Sequence, residues 1–129
     1  MAGTLTISTL SDGTNSTSAT NCIQGSAKAW VNFNGVGGAS IRSSYNISSI
    51  TYNGTGDYTI NFTNAMTDAN YSVVAIGQRN ASTNVPHSLV PYANGSTTST
   101  YATTYIRLVY RSWDGSTGDA LTGNVAVFR

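Results

Sequence analysis

Apolar and polar residues alternate along this chain in short runs, and clusters of Gly and Asn separate the runs. In Tyr58-Thr59-Ile60-Asn61-Phe62-Thr63 every second side chain is apolar, which puts Tyr58, Ile60 and Phe62 on one face of a strand. That period of two buries the aromatic face and wets Thr59, Asn61 and Thr63. The preceding Asn53-Gly54-Thr55-Gly56-Asp57 tolerates positive φ, so a hairpin is predicted between Ile50-Thr51-Tyr52 and Tyr58 onward. Asn34-Gly35-Val36-Gly37-Gly38 turns the chain in the same way after Val31-Asn32-Phe33. The pattern predicts strands over residues 4–9, 27–34, 40–44, 47–52, 57–63, 71–77, 88–92, 104–111 and 123–128. Residues 64–70 read as a connection with one helical turn. Residues 79–103 form the longest irregular stretch, with Pro86, Pro91, the single histidine His87 and the tract Asn94-Gly95-Ser96-Thr97-Thr98-Ser99-Thr100. A further loop, 113–119, carries Trp113-Asp114-Gly115 after the apolar run 105–110. No repeat of fixed period occurs, so a solenoid or propeller is not indicated.

Composition strengthens the strand reading. Among the 129 residues Leu occurs only five times and Glu never, while Ser, Thr and Asn together number 49. Abundant β-branched residues favour strands over helices. The expected fold is all-β: a single antiparallel, jelly-roll-like β-sandwich of about eight to nine strands, with residues 1–129 as one domain. Charged residues make up only 9% of the chain, against a usual ~25%. Net charge is +1 with no run of either sign. A nucleic-acid binder needs clustered basic residues to release counterions, and a membrane-surface binder needs such a patch or an apolar helix. Neither feature is present. The lone Cys22 excludes an internal disulfide framework. The opening Met-Ala-Gly-Thr-Leu-Thr-Ile-Ser has neither the basic stretch nor the apolar run of a signal peptide.

The inventory of reactive groups argues against catalysis. A carboxylate pair for glycoside hydrolysis needs two acids brought together, and the five Asp are scattered among turn residues. One His and one Cys cannot make a histidine-rich or thiolate zinc site within a chain. A triad built on His87 lacks a Gly-x-Ser-x-Gly elbow, and Gly35-Val36-Gly37-Gly38 has no following Lys or helix to cradle a phosphate. The expectation is a protein that is not an enzyme and needs no metal, nucleotide or other cofactor. Cys22 reads as a small buried hydrophobe rather than a reactive thiol. Trp30 lies inside a predicted strand, so core or subunit-interface packing is favoured over ligand stacking. Trp113, beside Asp114-Gly115 in a turn, reads equally as packing or as a binding anchor. Arg107 and Arg111 read as a solvated edge, an Arg–Asp pair or an inter-subunit contact.

Three blocks recur in a known order: Gly25-Ser26-Ala27-Lys28-Ala29-Trp30-Val31-Asn32-Phe33-Asn34-Gly35, then Ile41-Arg42-Ser43-Ser44-Tyr45-Asn46-Ile47, then Asn53-Gly54-Thr55-Gly56-Asp57-Tyr58-Thr59-Ile60-Asn61-Phe62. With Asp68-Ala69-Asn70-Tyr71, the entry Ser8-Thr9-Leu10-Ser11-Asp12-Gly13-Thr14 and the ending Val125-Ala126-Val127-Phe128, the chain resembles a C-terminal-type β-sandwich module of virion proteins in tailed bacteriophages of aquatic bacteria. The resemblance implies a virion-surface module, assembled in the bacterial host cytoplasm, trimeric, and acting by binding. A complete fibre carries an attachment segment and shaft ahead of such a module, whereas here the module begins at Met1. Both a stand-alone virion protein and an excised tip fit that start.

The resulting expectation is a fibre-type adhesion module that binds host surface glycans. The alternative is a capsid or tail decoration protein that stabilises the particle without a ligand. Expected partners are two further copies of the chain, other virion proteins and host cell-surface carbohydrate, with no nucleic acid and no membrane insertion. Apolar side chains on both faces of 72–76 and 105–110 call for a second burial surface, which a homotrimer provides. Receptor contact is expected in the second half, at Arg79, Asn80, His87, Tyr92, Tyr101, Trp113 and Asp114. There an aromatic face meets the C–H surface of a sugar, and amide or carboxylate groups reach its hydroxyls.

Overall fold

In the computed structural model, which describes residues 3–79, 87–91, 100–112 and 115–129, the alternation along the chain becomes alternation of burial. The strands are β1 (Thr9–Ser11), β2 (Ser16–Ser18), β3 (Ala27–Asn34), β4 (Ser40–Tyr45), β5 (Ile47–Gly54), β6 (Asp57–Phe62), β7 (Ser72–Arg79), β8 (His87–Pro91), β9 (Tyr105–Ser112) and β10 (Ala120–Phe128). One helix, α1 (Ala19–Gly25), joins β2 to β3. One four-stranded sheet runs β4-β3-β10-β7, a second runs β5-β6-β9-β8, and every pairing is antiparallel. β1 and β2 form a separate two-stranded ribbon.

The two sheets pack against each other as an all-β sandwich. Inward-facing Ala29, Val31 and Phe33 from β3 and Val125 and Val127 from β10 meet Tyr58, Ile60 and Phe62 from β6 and Ile106, Leu108 and Tyr110 from β9. Each large side chain removed from water here contributes about 1.5–3 kcal/mol. Phe33 and Tyr58 bridge the sheets edge to face, with ring centroids 5.1 Å apart. Both predicted hairpin turns form: Gly37 and Gly38 adopt φ of 72° and 102°, and Gly56 adopts 73°. Gly35 is required for space, because a Cβ there would stand 2.2 Å from the Tyr58 hydroxyl.

Several expectations are corrected. The strand path is not that of a jelly roll, whose wrapping sends most successive strands to opposite sheets. Here β3–β4, β5–β6 and β8–β9 each stay paired within one sheet. Residues 4–8 form no strand, since no neighbouring strand pairs with them; the ladder begins at Thr9. Residues 64–70 contain no helical turn, because other partners take their backbone groups. The Asn64 amide donates to Asn46 Oδ1 at 2.8 Å, and the Met66 amide donates to the Thr103 carbonyl at 2.8 Å. The helix forms instead at Ala19–Gly25, where Ser18 caps it by accepting from the Asn21 amide at 3.1 Å. That helix has no buried residue, so Cys22 is a half-buried residue outside the core.

Candidate functional site

The connections on either side of β8 and β9 divide between the two ends of the sandwich. One end gathers Arg79 at the close of β7, His87 at the start of β8 opposite Ser112, and the β3–β4 and β5–β6 turns. Arg79 is half-buried, pairs with Ala120, and its charge lies close enough to the Tyr110 hydroxyl to counter the rise that burial imposes there. Tyr101 belongs to the opposite end. It bridges to Ile106, and its half-buried ring sits 5.3 Å from that of Tyr71, a packing position. The structure therefore does not bring Tyr101 together with Arg79 and His87. Asn80, Tyr92, Trp113 and Asp114 lie outside the described residues.

At the first end Asp119 holds the entry to β10 against the β5–β6 turn. Its Oδ1 accepts from the Gly56 amide at 2.9 Å, the Tyr52 hydroxyl at 3.2 Å and the Tyr58 hydroxyl at 3.3 Å. Tyr58 Oη in turn accepts from the Ala120 amide at 3.0 Å. Burial is the main cause that pushes the Tyr58 hydroxyl far above its ordinary value, so it stays protonated and keeps a hydrogen to donate. Gly56 cannot carry a side chain, because a Cβ would stand 2.6 Å from the Gly118 carbonyl. This end is a fixed platform under the loop that leads from Ser112 to β10.

The outer faces of the two sheets differ sharply in chemistry. On β5-β6-β9 the outward residues satisfy one another. Asn61 Nδ2 donates to Ser49 Oγ and Thr51 Oγ1, both at 3.1 Å, and Asn53 Nδ2 donates to Thr59 Oγ1 at 2.9 Å. Arg107 grips Asp57 through Nε and Nη2, at 2.9 and 2.5 Å, and these bonds hold the Asp57 carboxyl below the usual carboxylate range. Of the readings for Arg107, the Arg–Asp pair is the one that forms.

The outer face of β4-β3-β10-β7 carries large exposed apolar side chains at its centre, and the Arg42 guanidinium reaches over one margin to Thr122 Oγ1 at 3.0 Å. Register places Tyr45, Trp30, Ala126 and Val74 in one row across the four strands, and Ser43, Asn32, Asn124 and Ile76 in the next. Within the chain, Val74 is 63% exposed, Ile76 65%, Tyr45 58% and Trp30 39%. Trp30 thus packs outside the core of its own chain. Between the rows lies a groove of about 290 Å³ lined by Trp30, Asn32, Val74, Ile76, Asn124 and Ala126. Asn32 Nδ2 donates to Asn124 Oδ1 at 2.6 Å, one bond that ties together the two amides lining the groove. The apolar side chains on both faces of 72–76 already signal this face. The contribution of Tyr45 depends on the β3–β4 register and is not readable from spacing.

A second pocket of about 380 Å³ opens at the corner where β4 passes to β5, lined by Lys28, Tyr45, Asn46, Asn64, Met66 and Arg129. Asn46 sits there at φ 57° and donates through Nδ2 to the Lys28 and Asn64 carbonyls, a structural clamp between the sheets. Among the described residues no three His, Cys, Asp or Glu side chains converge as metal ligands, and no helix is long and apolar enough to cross a membrane. No protein family, curated protein or solved structure matches the chain.

Proposed function

We propose that this chain is a non-enzymatic structural module of the bacteriophage virion surface, a homotrimer that works by contact: a fibre-type adhesion module for host glycans. The observation that carries the reading is the exposed apolar patch of Trp30, Tyr45, Val74 and Ile76 on one outer face. Exposed apolar patches of this kind mark interaction surfaces, and a second copy provides a like surface of low charge to bury them. The self-satisfied polar face on the other sheet suits solvent, which gives the module one side for assembly and one for water. The bonds among Asp119, Tyr58 and Gly56 fix the entry to β10, giving the rigid scaffold from which a binding loop works.

The adhesion arm is tested by Trp113→Ala, reading melting temperature and binding to host cells together. The reading expects lost binding with unchanged melting; binding that survives, or a fold that collapses, contradicts it. A decoration protein that cements the particle is the second reading, favoured by the same apolar face if another virion protein covers it. Its signature is particles that lose heat resistance when the chain is absent while adsorption to cells continues.

A further inference from the structure

Two features of the chain are incomplete in a single copy, and they match. The first is the segment ahead of β1. Thr4-Leu5-Thr6-Ile7-Ser8 alternates as a strand does, yet the backbone of residues 4–7 makes no hydrogen bond among the described residues. Leu5 is 82% exposed, and Ile7 and Leu10 are exposed as well. The second is the apolar groove on the β4-β3-β10-β7 face, bounded by Trp30, Val74 and Ile76.

We infer that residues 4–10 of one copy lie in the groove on the β4-β3-β10-β7 face of a neighbouring copy. The groove has room for branched aliphatic side chains, and Leu5 and Ile7 project from the same side of an extended segment. Neither residues 3–10 nor the two rows around the groove carry a charge, so docking buries no unpaired ion. The contact is heterologous: the segment of each copy meets the sheet of the next. Such an interface closes into a ring when the rotation allows, which is how a cyclic trimer is built. The inference rests on the self-association in the proposed function and adds which two surfaces meet.

Sedimentation equilibrium of the native chain, of a chain lacking residues 3–8, of Leu5→Ser/Ile7→Ser and of Val74→Ser/Ile76→Ser tests it. All substituted side chains are exposed in a single copy, and far-UV circular dichroism checks that each variant keeps its strands. The expected result is an oligomer for the native chain and a single-chain mass for all three variants. Mixing the segment variants with the sheet variant then restores association, because each supplies the surface that the other lacks. An oligomer that survives both segment variants overturns the inference while leaving self-association standing. A native chain that sediments as a monomer overturns both.

Discussion

Tyr58 shows how much of this protein is decided by single side chains. Its ring fills the core against Phe33, while its hydroxyl accepts from Ala120 and faces the Asp119 carboxylate. Tyr58→Phe keeps the packing and orphans the Ala120 amide, so it is predicted to cost about 1–3 kcal/mol in urea unfolding. A loss under 0.5 kcal/mol would show that the network does not bear on stability. The burial of Tyr58 is legible in the alternation of its strand. Its link to Asp119 is not, because three strands and 61 positions in sequence separate the partners. Asp57 adds a pH signature. Arg107 depresses its carboxyl in the fold, so its contribution is full above the unfolded value of ~3.9 and is lost as pH falls through the folded value. Asp57→Asn is therefore expected to lose stability at neutral pH, with the deficit shrinking below pH ~4; an unchanging deficit across pH contradicts this. At the alkaline limit burial pushes the Tyr71 hydroxyl up to about 12, against ~10 unfolded. Stability is thus full below pH ~10 and falls as pH rises through the folded value.

Strands with a clear apolar–polar period are read correctly from sequence even where their partners are distant, whereas the helix and the corner between the sheets are not. β5 and β6 form as predicted because Asn53-Gly54-Thr55-Gly56-Asp57 sets the turn and the alternation sets the register. α1 escapes detection because its residues lack a helical apolar face; it is held by the Ser18 cap and contributes nothing to the core. The β4–β5 corner depends on Asn46, whose positive φ and amide bonds to Lys28 and Asn64 cannot be inferred from its neighbours in sequence. Asn46→Ala is predicted to destabilise by roughly 2–4 kcal/mol, combining lost hydrogen bonds with left-handed strain. Asn46→Gly removes the strain alone and should recover about 1 kcal/mol of that loss. Equal stability of the two variants contradicts a role for backbone conformation at this corner.

At the scale of the whole molecule the two sheets have unequal outer faces. Across β5-β6-β9 of one, Ser, Thr, Asn, Asp and Arg side chains bond among themselves, whereas the centre of the other exposes Trp30, Tyr45, Val74 and Ile76. Two-sided apolar character in 72–76 was visible in sequence; which strands bring it together was not, because β3, β10 and β7 meet only through long-range pairing. The candidate receptor residues were less legible still. Their spacing in the chain does not reveal that Arg79 and Tyr101 belong to opposite ends of the sandwich. The account turns on whether the apolar patch of Trp30, Tyr45, Val74 and Ile76 is a meeting surface between copies. The most direct measurement is the mass of the native chain by static light scattering over micromolar concentrations. A mass of three chains is predicted; a mass of one chain at every concentration contradicts the account.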